Sequence, residues 1–99
     1  MIREVSVEDY LVAETEARGA LCEKHVSPNR KFVPDRDCMW PRGILHWIET
    51  KAPDGRLNSG QERDHERRRA LGFKVFVIWN NREVDKYVCA CRHLWLSSP

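Results

Sequence analysis

Between Ile44 and Trp79 the chain carries two apolar runs, ILHWIETK (Ile44 to Lys51) and FKVFVIW (Phe73 to Trp79), on either side of a strongly polar stretch. This arrangement restricts the fold more than any other feature. The first run is rich in Ile and Trp and is bounded by Gly43 and by Pro53-Asp54-Gly55, which reads as a strand. The second is almost continuously hydrophobic, which predicts a strand buried on both faces, as in the parallel part of a mixed sheet. Between them, Ser59 or Asn58 caps a helix that spans about Gly60 to Leu71 and ends at Gly72. Such a helix can serve as a right-handed crossover between parallel strands.

The flanking segments fit the same scheme. Ser6 caps a first helix with Val7 to Ala17 as its body, and Arg18-Gly19 stops it. Ala20 to Val26 reads as extended, Ser27 to Lys31 as turns, and Phe32 to Trp40 as a second extended stretch interrupted by Pro34. Pro41-Arg42-Gly43 then makes a hairpin turn into ILHWIETK. Asn80-Asn81 turns the chain into a last helix, Arg82 to Cys91, whose apolar face is Val84, Tyr87, Val88 and Cys91. Leu94, Trp95 and Leu96 can dock after it, while the closing Ser-Ser-Pro frays. Strands alternating with helices predict an α/β fold with a mixed central β-sheet flanked by α-helices. At 99 residues, without repeats or linker, the chain is read as one domain, residues 1–99.

Composition excludes several classes. With 41% hydrophobic residues the chain has enough apolar side chains for a core, so it is not intrinsically disordered. No stretch approaches the ~20 apolar residues of a membrane span. MIREVSVEDY carries acids early and lacks an apolar run, so it is not read as a secretory signal, and a cytoplasmic protein is expected. A net charge of +2 rules out a bulk polycation, so nucleic-acid affinity must come from local patches such as Arg63, Arg67, Arg68 and Arg69. Cys22, Cys38, Cys89 and Cys91 are expected to be reduced thiols.

Asp35, Glu49 and Lys51 carry the chemistry. Glu49 and Lys51 are two apart in a strand and therefore project from one face. The hairpin brings Asp35 close to them. Two carboxylates suit a hard divalent cation, which prefers oxygen ligands. A lysine beside the pair can orient an attacking water or offset charge developing on a phosphoryl oxygen. Taken alone, Glu-Thr-Lys is no more than a charged strand end. The upstream Pro-Asp, together with Gln61 and the arginine-rich helix downstream, tips the reading toward phosphodiester hydrolysis.

VPDR (Val33 to Arg36), IETKAPDG (Ile48 to Gly55), Leu57-x-x-x-Gln61 and GFKVFVI (Gly72 to Ile78), with VEDYL (Val7 to Leu11) ahead of them, resemble the VRR-NUC nucleases of the PD-(D/E)XK superfamily. The resemblance spans roughly positions 7 to 88 and implies a restriction-endonuclease-like core. It implies Asp35 and Glu49 as metal-binding carboxylates, the Thr50 carbonyl as a further metal ligand, and Lys51 as the catalytic lysine. It also implies that Glu8 completes or supports the metal shell, although Glu14 and Glu16 share its helix. Gln61 would sit near the site, with Arg36 and Lys24 close by. The implied cofactor is Mg²⁺ or Mn²⁺, with no small-molecule cofactor and no membrane partner. Stand-alone members, often from phages, resemble structure-selective DNA endonucleases that pair into homodimers and act on branched DNA such as four-way (Holliday) junctions. Two departures stand out: Thr50 replaces an apolar residue, and Arg68 lies where an apolar helix residue is expected.

Other residues are read more plainly. Arg63, Arg67 and Arg68 either contact DNA or form a solvated helix face, with Asp64 and Arg68 as an i, i+4 pair. His25, His46, His65 and His93 are read as structural, and the four tryptophans as core or dimer-interface residues. A non-catalytic DNA-binding module on the same fold is the main alternative. A zinc site at Cys89, Cys91 and His93 is a weaker one, because its spacing is not that of a zinc loop and no fourth ligand is evident.

Overall fold

The computed structural model describes residues 5–96. Ser6 accepts the Asp9 N–H and so opens α1 (Val7–Glu16). Leu11 and Thr15 are its buried positions. Thr15 resolves its burial locally by donating its hydroxyl to the Leu11 carbonyl at 2.7 Å. Next come β1 (Leu21–Lys24), β2 (Arg36–Trp40), a 3₁₀ turn over Pro41–Gly43, β3 (Ile44–Thr50), α2 (Ser59–Ala70), β4 (Lys74–Ile78), α3 (Asn81–Ala90) and the short α4 (Arg92–Trp95).

The four strands form one sheet in the order β1-β2-β3-β4. β1, β2 and β3 are antiparallel neighbours, while β3 and β4 run parallel. α2 is therefore the crossover that a parallel pair requires. On one face of the sheet, α1 and α3 cover a core that includes Leu11, Cys22, Cys38, Trp40, Ile48, Ile78, Val84, Tyr87, Val88 and Cys91. That face also buries a polar cluster. Tyr87 accepts the Trp40 indole N–H at 2.9 Å and shares a 2.6 Å hydrogen bond with His46 Nδ1. α2 lies against the opposite face.

Several sequence expectations are refined. Asn58, not Ser59, is the cap of α2, in a capping box with Gln61, and the helix ends at Gly72 with φ of +96°. The extended reading of Phe32 to Trp40 holds only from Arg36. Phe32 takes φ of +67°, and its ring lies over Gly60, where an added Cβ would meet ring carbons at 2.5 Å. The loop leading to Asp35 is thus pinned to the start of α2. β4 lies at the sheet edge, so its apolar run is only partly buried. Val75 and Ile78 are enclosed, whereas Phe73 is exposed. Of the predicted face residues, Val84, Tyr87 and Val88 are buried on α3 and Cys91 is buried at its C-cap. Leu94 docks and the Trp95 indole donates to the Val88 carbonyl, but Leu96 is exposed. Ser97 to Pro99 lie outside the described residues. Among the described residues no helix is long and apolar enough to cross a membrane.

Candidate active site

β3 delivers Glu49 and Lys51 to one end of the sheet. The Lys51 N–H closes the parallel ladder on the Ile78 carbonyl, and its Nζ stands 4.0 Å from Glu49 Oε2. The β2–β3 hairpin brings Asp35 beside them. The Asp35 carboxylate accepts the Thr50 N–H at 3.2 and 3.3 Å and the Thr50 hydroxyl at 2.8 Å. The main chain of Asp35 is fixed from the other side, where its carbonyl accepts the His25 N–H at 2.8 Å.

Glu8, on α1, lies 3.3 Å from Arg36 and 3.9 Å from Lys24. Glu14 pairs instead with Arg18, and Glu16 accepts the Cys22 N–H. Of the three candidate acids on that helix, only Glu8 faces the cleft. This cleft, of about 550 Å³, is lined by Glu8, Thr50, Lys51, Ala52, Asn80 and Asn81, among others.

Electrostatically the site holds its two carboxylates partly out of water and close to each other. Burial first, then the Asp35 carboxylate, pushes the Glu49 carboxyl up to about 7, although Lys51 opposes the shift. Burial also raises Asp35 against the Thr50 hydrogen bonds, and Glu8 adds to the rise. Glu49 Oε1 is buried with no hydrogen-bond partner. Acids forced together in a partly dry setting are the donor chemistry that a hard divalent cation relieves. Among the described residues no three His, Cys, Asp or Glu side chains converge closely enough to enclose an ion on their own. Two carboxylates plus water and a backbone oxygen nevertheless suit Mg²⁺, which keeps several of its waters.

No protein-family model matches the sequence. The phage protein "Putative nuclease p44" of Acyrthosiphon pisum secondary endosymbiont phage 1 is 42% identical over 78 residues, covering 79% of this chain and 84% of that protein. A solved structure described as "VRR_NUC domain" superposes with a TM-score of 0.78 at 34% identity, covering 83% of this chain and 89% of its own. The chain belongs to the VRR-NUC nuclease family. Its mixed four-stranded sheet with flanking helices is the α/β, restriction-endonuclease-like architecture that the solved VRR-NUC domain shares.

Within this VRR-NUC chain, Asp35, Glu49, Thr50 and Lys51 come together, with Glu8, Arg36 and Lys24 along one flank. Gln61 is partly occupied, since its side-chain oxygen accepts the Asn58 N–H in the helix cap. Arg63 and Arg67 are exposed. Arg68 turns inward, bonding Asp64 at 2.8 Å and lying 4.4 Å over the Trp47 ring. The position where an apolar residue was expected is thus filled by a guanidinium stacked on an indole. Cys91 is buried beside His46 while Cys89 is exposed on the same helix, so the C-x-C-x-H run does not converge. All four cysteines are unbridged.

Sequence reasoning missed the role of two side chains. The resemblance implies Thr50 only through its carbonyl, yet its hydroxyl holds Asp35. His65, read as merely structural, is buried with Nε2 3.7 Å from Glu49 Oε1. The hint in the sequence was its spacing, one turn after Gln61.

Proposed function

We propose that the protein is a metal-dependent, structure-selective DNA endonuclease that hydrolyses phosphodiester bonds, with branched DNA such as four-way junctions as its preferred substrate. The observation that carries this reading is the convergence of Asp35, Glu49 and Lys51 at one sheet end, where the Glu49 carboxylate is buried beside that of Asp35. Asp35, Glu49 and the Thr50 carbonyl would hold Mg²⁺ or Mn²⁺, with Glu8 in support. When bound, such an ion polarises a phosphoryl oxygen and makes a coordinated water more acidic.

The chain's own groups do the rest. Thr50 fixes the Asp35 carboxylate through main-chain and hydroxyl donors, so this ligand is set before substrate arrives. Lys51 lies at the cleft with its side chain only 19% exposed, and a cation so shielded from water stabilises developing phosphoryl charge more strongly than an exposed one. The free amide nitrogen of Gln61 can contact water or backbone phosphate. Arg63 and Arg67, exposed on α2, would meet phosphates, and Arg36 and Lys24 border Glu8. A pair of copies would present two such sites to a junction. Leu21 and Met39, exposed cross-strand partners, offer apolar surface for that pairing.

Labelled four-way junction, flap and linear duplex, incubated with Mg²⁺, Mn²⁺ or EDTA, test the reading. Junction cleavage should require metal. Lys51→Ala should lower it at least ~10²-fold, the scale for loss of a group that stabilises transition-state charge, while folding and DNA binding persist. Cleavage by Lys51→Ala at the wild-type rate would sink the mechanism. Folded protein that binds DNA but cuts nothing under any metal would point to a DNA-binding module.

A further inference from the structure

Two buried polar atoms without partners face each other behind the site. Glu49 Oε1 and His65 Nε2 are 3.7 Å apart, and each is enclosed with no hydrogen-bond partner. That gap is too long for a hydrogen bond and too short for a well-placed bridging water. His65 is 1% exposed. Its burial does not follow from apolar packing, because the buried residues of α2 are Gly60, Asp64 and His65. Buried polar groups are rarely left unpaired, so a pair of orphans this close marks a contact that forms in another state of the site.

We propose that His65 is a positioning residue whose Nε2–H donates to Glu49 Oε1 in the metal-loaded protein, fixing the carboxylate so that Oε2 faces Lys51 and the cation. This rests on the nuclease reading above and adds a residue to it. Glu49 divides its two oxygens, with Oε2 4.0 Å from Lys51 Nζ and Oε1 toward His65. An ionised carboxylate only accepts, so Nε2 must be the protonated ring nitrogen. Closing the gap needs a movement of well under 1 Å, within what a side chain in a partly dry pocket can make when a ligand fixes its other oxygen. Ligating carboxylates are commonly held in this way from behind, and losing the partner weakens metal binding 10- to 100-fold.

The test is calorimetric titration of Mn²⁺ into the full chain, with the half-saturating Mn²⁺ concentration for cleavage measured alongside. His65→Phe keeps the bulk and removes the donor. It should weaken Mn²⁺ binding about 10- to 100-fold, with a much smaller fall in kcat at saturating metal. His65→Gln keeps an N–H donor of similar reach and should recover most of the affinity. Wild-type Mn²⁺ affinity in folded His65→Phe, or no recovery in His65→Gln, overturns the proposal while leaving the nuclease reading intact. If the wild type binds no divalent cation, both readings fall together.

A second measurement needs no variant. Imidazole ¹⁵N spectra of the wild type should show His65 protonated at Nε2, with that resonance shifting on addition of Mg²⁺. An unprotonated Nε2 in the Mg²⁺-loaded protein overturns the proposal even where the variants do not fold.

Discussion

Thr50 shows how much one hydroxyl can decide. Asp35 lies just before the first paired residue of β2, so the sheet does not orient its carboxylate, and Thr50 does so with both its N–H and its Oγ1. Thr50→Val keeps the shape and the N–H donor but removes the hydroxyl. A hydrogen bond to a charged acceptor contributes about 1.5–3 kcal/mol, and partial exposure puts this one at the lower end. Urea denaturation should therefore show a loss of about 1.5 kcal/mol, and Mn²⁺ affinity should fall with it. A variant as stable as wild type would mean that the N–H alone holds Asp35. The convergence of Asp35, Glu49 and Lys51 was legible in the sequence because Pro-Asp marks a turn into a strand and Glu-x-Lys obeys the two-residue period. Thr50 was not legible, since its role depends on how far Asp35 overhangs the hairpin register, which no local pattern specifies.

Among the elements, α2 departs furthest from ordinary design. A helix packed on a sheet normally shows an apolar stripe, whereas the inner positions of α2 are Gln61, Asp64, His65 and Arg68. Its attachment is polar and aromatic: Arg68 bridges Asp64 and Trp47, and Arg69 donates to the Val75 carbonyl at 2.7 Å. The helix was recognisable from Asn58, Gly72 and the need for a crossover, but its inward face could not be assigned without an apolar stripe. For the same reason Arg68 was grouped with the arginines that could contact DNA. Arg68→Ala should cost about 2 kcal/mol, the sum of a partly buried ion pair and a cation–π contact. Arg67→Ala should leave stability within about 0.5 kcal/mol and reduce the salt dependence of DNA binding by about one phosphate contact. Thermal melts and binding isotherms at several salt concentrations separate the two. A salt-slope change in Arg68→Ala with unchanged stability would reverse the assignment.

For the whole molecule, the two faces of the sheet respond to pH in opposite ways. On the α1/α3 face, burial pushes His46 down to about 4 from its ordinary 6.5, and its Nδ1 shares a hydrogen bond with Tyr87. The stability this gives is full above pH 6.5 and is lost as pH falls through 4. On the α2 face, Glu49 is raised to about 7 from 4.5, so in metal-free protein the stability is full below pH 4.5 and is lost as pH rises through 7. Melting temperatures in EDTA should show both limbs. Glu49→Gln should abolish the loss toward pH 7 and leave the acid limb in place. In the wild type Mg²⁺ should restore stability near neutral pH, because a ligand that binds only the folded state stabilises it. An unchanged neutral limb in Glu49→Gln would show that Glu49 does not set it. The α/β class, the parallel pair and the hairpin were readable from hydrophobic runs and turns. The position of β4 at the sheet edge was not, because the same apolar run serves a strand covered by helices on both faces whether or not another strand lies beside it.

Trp47 sits two residues before Glu49, with the Arg68 guanidinium 4.4 Å over its ring and the His25 ring 4.7 Å away. The helix that carries His65, and the residue whose N–H holds the Asp35 main chain, therefore each rest a side chain on the same indole. Indole emission responds to whatever stacks on it, so the chain contains its own fluorophore two residues from Glu49. Addition of Mg²⁺ should therefore change the emission of the unlabelled wild type but not that of Trp47→Phe, in real time and without DNA.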